Sequence, residues 1–434
     1  MLRCNSKKVC NGDTFLAIKG TTIDGHDYIE EAIQRGATKV IAERGDYPVE
    51  TVIVPSTKKY LNNYLKKRSL PIKVIGVTGT NGKTTTCFLI WQLFRKLSIP
   101  CSYIGTLGFY LEEKVCDLKN TTPGSLELYK LLKKSVDEKC EYVVMEVSSQ
   151  ALDQERVDFL EFDYAIFTNL TQDHLDYHKS MENYLKAKQK LFYLLKDDGI
   201  AIINSDDPCA NYFEIGNYVT YGYSNSDYQI SSNQTSFQIN EEEYQMKLLG
   251  NYNIYNMTSA ICLLYQLGYN SSDLKEKVKE CLPPEGRMDI IPYNTNKIIV
   301  DYAHTPDALE NILDCVHELN PHKVITVVGC GGDRDKGKRP IMGELATRKS
   351  DYVIFTSDNP RSENPKLILK DIVKELDNVN YEIEVNREVA IKKGIQFLTK
   401  DDILLVLGKG HEKFQIIGEE KIFFDDKKVI LDNI

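Results

Sequence analysis

A chain of 434 residues is longer than a single hydrophobic core serves, and two to four domains are expected. Its 42% hydrophobic and 27% charged residues are ordinary for a globular protein, and the net charge of −9 argues against non-specific nucleic-acid binding, which favours a basic surface. No apolar run approaches the roughly 18 residues of a membrane span, and the opening MLRCNSKKVCNGD lacks the apolar core of a signal peptide, so a cytoplasmic protein is expected. The 11 cysteines are scattered without a C-x-x-C and read as reduced thiols.

Taken in order, the chain begins with a small α/β unit. Strands are expected over 13–18, 39–42 and 51–54, with a helix over 27–35. No catalytic cluster stands out there, and a scaffold or docking role is the plain reading. Next comes KVIGVTGTNGKTTTCFLIWQLF, residues 73–94. A strand over 73–77 runs into a glycine-rich turn, and an amphipathic helix opens near Lys83. Such a turn offers backbone N–H groups and a helix N-terminus to anionic oxygens. Lys83 can reach the outer phosphates, and the Thr84 hydroxyl can ligate Mg²⁺. The match to G-x-x-x-x-G-K-[ST] is imperfect, because Val77 stands where glycine is needed; an ordinary glycine-rich turn is the competing reading.

From 72 to 284, strands over 73–77, 103–104, 142–146, 164–169 and 200–204 alternate with helices. That pattern predicts a doubly wound, mostly parallel sheet. Ligands gather at the carboxyl ends of such strands. Polar clusters stand there: Glu146-Val147-Ser148-Ser149, Thr168 to His174, and the loop Asn120-Thr121-Thr122-Pro123. A helix over 181–195 places Lys188 on its apolar face, between Leu185 and Leu191. An inward lysine needs a partner or a changed charge state, unless its stem merely snorkels.

A third unit, 285–434, has strands over 298–301, 324–329, 352–356 and 403–407, again with helices between, which reads as a Rossmann-like α/β domain. Its strand ends carry Asp301-Tyr302-Ala303-His304-Thr305-Pro306, Gly331 to Lys336, Asp358-Asn359-Pro360-Arg361 and Gly408-Lys409-Gly410-His411-Glu412. Four polar ends on one unit predict a binding face.

The segments Gly79-Thr80-Asn81-Gly82-Lys83-Thr84, Glu146-Val147-Ser148-Ser149, Asp173-His174-Leu175-Asp176-Tyr177-His178 and Asp301 to Pro306 resemble the signatures of the Mur ligases, in the right order across nearly the whole chain. Within that family the resemblance is to the branch that adds a diamino acid to UDP-N-acetylmuramoyl-L-alanyl-D-glutamate during peptidoglycan synthesis. It implies three domains: a UDP-binding domain over 1–71, an ATPase domain over 72–284 and an amino-acid-binding domain over 285–434. It implies an ATP-dependent amide synthesis through an acyl-phosphate, with Mg²⁺ as cofactor, by a monomer.

The resemblance assigns Lys83, Lys188, His174 and Glu146 to catalysis, with Lys188 as a carbamate. Mg²⁺ would be held by Thr84, Glu146, His174 and the Lys188 carbamate. ATP would meet Gly79, Thr80, Asn81, Gly82, Lys83, Thr84 and Thr85, with Asn256 near the adenine and Arg287, Asp301 and His304 closing from the third unit. The UDP-sugar dipeptide would meet Thr121, Thr122, Ser148, Gln154 and Arg156, and its uridine end Ser6, Thr21 and Thr22. Here Asn5-Ser6-Lys7 departs from the usual Asp-Ser-Arg. Asp358, Asn359, Pro360 and Arg361 match the pattern of relatives that use meso-diaminopimelate. An Arg fork suits the second carboxylate by which that molecule differs from lysine. Arg334 is a second candidate for it, and Gly408 and Glu412 would receive the distal amino group. Addition of L-lysine or another diamino acid, a folylpolyglutamate-synthase-like ligase, and a P-loop ATPase acting as a switch are the alternatives.

Overall fold

The computed structural model describes every residue except 21–22, 234–235 and 378–379. Three sheets divide the chain. The first is fully parallel, with Leu2–Arg3, Thr14–Leu16, Lys39–Ala42 and Glu50–Ile53 side by side in chain order.

The second sheet has eleven strands. Its parallel centre runs Asn217–Gly222, Leu195–Asn204, Phe162–Phe167, Lys73–Thr78, Tyr142–Glu146, Cys101–Gly105. Lys73–Thr78 is buried from Val74 onward because both faces are covered, as a near-continuous apolar strand in a parallel sheet requires. Ile75 and Val77 pack toward the Lys83–Lys96 and Asn251–Gln266 helices. Val74 packs on the opposite face with Val143, Met145, Phe167, Tyr184 and Leu185. The chain leaves Lys73–Thr78 toward Cys101–Gly105 and later returns on its other side at Phe162–Phe167. The strand order therefore reverses at the phosphate loop, where a doubly wound sheet opens a crevice.

The third sheet runs Asp289–Tyr293, Asn296–Asp301, Ile403–Leu407, Val324–Val328, Tyr352–Thr356, Tyr381–Glu384, parallel except for its first strand. A two-stranded ribbon, Phe414–Ile417 with Glu420–Phe423, follows it. No helix among the described residues is long and apolar enough to cross a membrane.

The expected α/β class is the one found. The helix expected over 181–195 stops at Gln189; a 3₁₀ turn, Phe192–Leu194, follows. Leu195 pairs with Phe162 in the sheet, so the last apolar positions of that pattern serve a turn and a strand. Gly108–Tyr110 and Lys114–Cys116 extend one edge of the second sheet antiparallel, and Tyr228–Ser232, parallel to Asn217–Gly222, extends the other with its antiparallel partners Phe237–Ile239 and Glu242–Tyr244; none of these strands is among those expected.

Candidate active site

The carboxyl ends of the second and third sheets face one another across a cleft of about 1030 Å³. Polar contacts hold the two units together around it. Asn81 Nδ2 donates to Asp307 Oδ2 at 2.6 Å, Gln172 Nε2 to Asp335 Oδ2 at 3.1 Å, and Arg287 Nη2 to Thr84 Oγ1 at 3.3 Å.

At the phosphate loop the Lys83–Lys96 helix starts from Gly82, whose φ of +85° is the left-handed region that glycine occupies without strain. A Cβ there would also meet Asn256 Oδ1 at 2.5 Å. Asn256 accepts from Thr86 Oγ1 at 3.2 Å, so it props the loop from beneath while lining the cleft. Lys83 Nζ donates to the carbonyls of Gly79 and Thr80, both at 2.8 Å. Lys188, only 1% exposed, donates to the same Gly79 carbonyl at 2.6 Å and lies 4.4 Å from the centre of the Tyr184 ring. Burial, reinforced by Lys83, holds the Lys188 amine well below the ordinary lysine pKa.

Glu146 is fully buried at the end of its strand. Thr84 Oγ1 donates to its Oε2 at 2.8 Å. A hydroxyl and a carboxylate at the head of a phosphate-binding helix form an oxygen donor set suited to a hard divalent cation. Among the described residues no group of three or more His, Cys, Asp or Glu could hold a metal. A cation held there would take its remaining ligands from phosphate and water.

Asp173 ties the two sheets. Lys338 Nζ lies 3.3 Å from its Oδ1, His174 Nε2 is 3.5 Å and His304 Nε2 3.7 Å from its Oδ2. Burial pushes the Asp173 carboxyl up, but Lys338, His174 and His304 outweigh it and hold it below the usual carboxylate range. Burial lowers His174 to about 3 and His304 to about 4, so both imidazoles are neutral at pH 7. Lys338, 3% exposed, was not anticipated. It sits just past the Gly331–Lys336 cluster, and nothing in the sequence separates it from the exposed Lys336 beside it.

Thr121, Ser148, Gln154 and Arg156 line the cleft. Arg156 forks onto Gln154 Oε1, at 3.1 and 2.7 Å, and has no carboxylate in an ion pair among the described residues. Thr122 does not reach the cleft. It is fully buried, donating to the Glu146 carbonyl at 2.8 Å and accepting from the Ser148 N–H at 3.0 Å. Ser6 is also away from the cleft, its hydroxyl given to Glu31 Oε2 at 2.8 Å. Thr21 and Thr22 lie outside the described residues. Asp301 lines the cleft, but its two oxygens accept the Met288 and Ala303 N–H groups at 2.6 and 2.7 Å, which fixes the strand end rather than leaving a free carboxylate.

In the third unit Arg334, Asp358, Asn359, Arg361, Gly408 and Glu412 all border the cleft; Pro360 does not. Arg361 Nη1 donates to the Gly332 carbonyl at 2.7 Å, and Arg334 Nη1 to that of Asp333 at 3.0 Å. Burial and the neighbouring Arg334 lower the Arg361 pKa. Glu412 borders the cleft with its Oε2 accepting from Asn359 Nδ2 at 2.7 Å. The loop of Arg334 and that of Arg361 lie so close that a Cβ on Gly332 would run into the Pro360 carbonyl. Glu363 staples them: it accepts the Asp333 N–H at 2.7 Å and two donors of the buried Arg339, at 2.8 and 3.1 Å.

Arg339 is the main reason the Glu363 carboxyl falls from its ordinary 4.5 to about 2. A carboxyl depressed on folding stabilises the fold fully above its unfolded pKa, and that contribution is lost as pH falls through the folded one. Glu363→Gln is thus expected to lower the melting temperature at pH 7, with the gap from wild type closing between pH 4.5 and 2; thermal melts across that range check it.

Family models cover most of the chain. The Mur ligase family, catalytic domain, matches residues 1–76; the Mur ligase middle domain, 77–264; the Mur ligase, glutamate ligase domain, 286–410. A UDP-N-acetylmuramoyl-L-alanyl-D-glutamate–2,6-diaminopimelate ligase of Clostridium perfringens is 42% identical, over 99% of this chain and 94% of its own. The one of Fusobacterium nucleatum is 40% identical, over 98% and 92%. A solved structure of a ligase of that name superposes with a TM-score of 0.68 at 30% identity, over 100% of this chain and 94% of that one. On a chain alike to these proteins from end to end, these matches have one consistent reading: the chain belongs to the Mur ligase family.

Proposed function

We propose that this protein joins meso-2,6-diaminopimelate to UDP-N-acetylmuramoyl-L-alanyl-D-glutamate at the expense of ATP. The observation that carries the amino-acid choice is Arg334 and Arg361 side by side on the cleft, neither in an ion pair with a carboxylate among the described residues. Asp358 and Glu412 act on Arg361 only from beyond ion-pair distance, so the two guanidiniums favour a ligand that brings a carboxylate into direct contact, and diaminopimelate carries one where lysine carries none. L-Lysine would leave both unpaired, which is how such a pocket rejects it. The relatives at about 40% identity bear the name of this same activity.

In this reading residues 1–71 bind the uridine end, 72–284 bind and spend ATP, and 285–434 present the amino acid. The loop amides and Lys83 stabilise the phosphoryl group as it passes to a substrate carboxylate. Arg156 and Gln154, with Thr121 and Ser148, hold the sugar-dipeptide. The amine attacks the acyl carbon, loses a proton, and phosphate leaves. Mg²⁺ bound by Thr84 and Glu146, with His174 and a Lys188 carbamate nearby, would neutralise phosphate charge. Contact across Asn81–Asp307 and Arg287–Thr84 keeps water from the acyl-phosphate. A reaction that consumes ATP on a soluble nucleotide-sugar belongs in the cytoplasm.

The test is phosphate release from the purified protein with Mg-ATP and the UDP-dipeptide, adding meso-diaminopimelate, L-lysine or neither. Release is expected with diaminopimelate alone. Arg361→Ala is expected to lower kcat/KM for it by about 10²-fold, the loss typical when one partner of a buried, hydrogen-bonded charge pair is truncated. Preference for lysine would overturn the pocket assignment, and release indifferent to any amino acid would leave only an ATPase.

A further inference from the structure

We infer that Tyr103 is a positioning residue: its phenol fixes the Glu146 carboxylate so that one chosen oxygen, Oε2, is presented to a divalent cation. The inference rests on the reading of Thr84 and Glu146 as a cation site.

The two oxygens of Glu146 are treated differently. Tyr103 OH donates to Oε1 at 2.6 Å, and the Thr106 N–H donates to the same atom at 2.7 Å. The Leu107 N–H in turn donates to the phenol oxygen at 3.3 Å, so the single phenol proton is committed to the carboxylate. Neither donor on Oε1 can turn away, since one is backbone and the other a fully buried ring wedged edge-on against Phe88 and Tyr110. Oε2 instead faces two hydroxyls, Thr84 Oγ1 at 2.8 Å and Thr106 Oγ1 at 3.0 Å. Hydroxyls rotate, and each can turn its proton elsewhere and offer a lone pair to a cation. Oε1 is therefore the anchored atom and Oε2 the available one.

Gly105 supports the same conclusion from a separate direction. It lies at the end of the Cys101–Gly105 strand without a positive φ, so no backbone demand calls for glycine. A Cβ there would collide with both Glu146 Oε1 and Tyr103 OH. The glycine leaves space for the phenol–carboxylate contact.

The experiment titrates Mn²⁺ into wild type, Tyr103→Phe and Gly105→Ala, each with ADP, and counts free Mn²⁺ by electron paramagnetic resonance. Outer partners of metal ligands typically change affinity 10–100-fold. Tyr103→Phe keeps the ring and is expected to raise the Mn²⁺ dissociation constant about tenfold. The Mg²⁺ concentration for half-maximal rate should rise in step, with the KM for the amino acid unchanged. Gly105→Ala should move the same quantities in the same direction. Mn²⁺ affinity within twofold of wild type in a Tyr103→Phe protein of unchanged melting temperature overturns the inference while leaving the cation site standing. Wild type that takes no Mn²⁺ with ADP overturns the cation site and the inference together.

Discussion

Lys188→Met is expected to lower the rate of ligation by about 10³-fold, the upper end of what removing one preorganised electrostatic contact costs. The reason lies in the crowding at one carbonyl. Lys83 and Lys188 both donate to Gly79, at 2.8 and 2.6 Å, so two amines meet where a single ammonium would already be costly to bury. Burial lowers both, and for Lys188 the neighbouring Lys83 adds to it while Asp173 opposes. Lys188 is therefore the amine held further below the ordinary lysine pKa. A neutral buried amine is a nucleophile for CO₂; the carbamate that forms, with release of one proton, carries the negative charge that two facing lysines lack. Wild type supplied with ¹³C-bicarbonate should then show a carbamate carbon resonance that Lys188→Met lacks. Ligation within tenfold of wild type in Lys188→Met would reduce Lys188 to a prop for the loop.

The phosphate loop and Lys188 were legible because their signals are local. Gly82-Lys83-Thr84 opens a helix after a strand, and Lys188 breaks an apolar stripe at helical spacing; both patterns sit within a few turns of chain. The strand ends of the third unit were legible for a related reason: polar groups directly after apolar runs mark the rim of a parallel sheet. Contacts between distant segments were not legible. Lys338 reaches Asp173 across 165 positions, and Asn81 reaches Asp307 across 226, and no periodicity in either segment points at the other. Tyr103 was hidden for a different reason. A tyrosine inside an apolar strand reads as core, and only the packing reveals that its hydroxyl ends on Glu146. Thr122 erred in the opposite sense: in the loop it looks like a ligand for substrate, but its hydroxyl is used up joining two backbone groups. The short antiparallel strands between 228 and 244 carry too few apolar positions to stand out from loop.

Asp426→Ala is expected to destabilise the protein by about 3–5 kcal/mol, the cost of leaving half of a buried ion pair alone. Arg387 and Asp426 open the helices Arg387–Gln396 and Asp426–Leu431, and both side chains are wholly buried. The pair is bidentate, Nε to Oδ1 at 2.8 Å and Nη2 to Oδ2 at 2.6 Å, and Nη2 also donates to the Leu407 carbonyl at 2.9 Å. Leu407 ends the strand that leads into Gly408 and Glu412, so the pair braces the wall of the cleft where the amino acid is proposed to bind. Among the described residues the Arg387 Nη1 has no partner, which already makes the guanidinium costly to bury. With Asp426 gone the charge stands uncompensated, since Asp358 and Glu412 act on it only at a distance. Replacing both partners by apolar residues, Arg387→Met with Asp426→Leu, removes the charge as well and should recover most of the loss. Urea unfolding of the three variants separates the two costs. If Asp426→Ala and the double variant are equally destabilised, packing rather than the stranded charge is responsible. The double variant should then distinguish bracing from stability in a second way: well folded, but with Leu407 freed from Arg387, it is expected to show a raised KM for diaminopimelate and an unchanged KM for ATP.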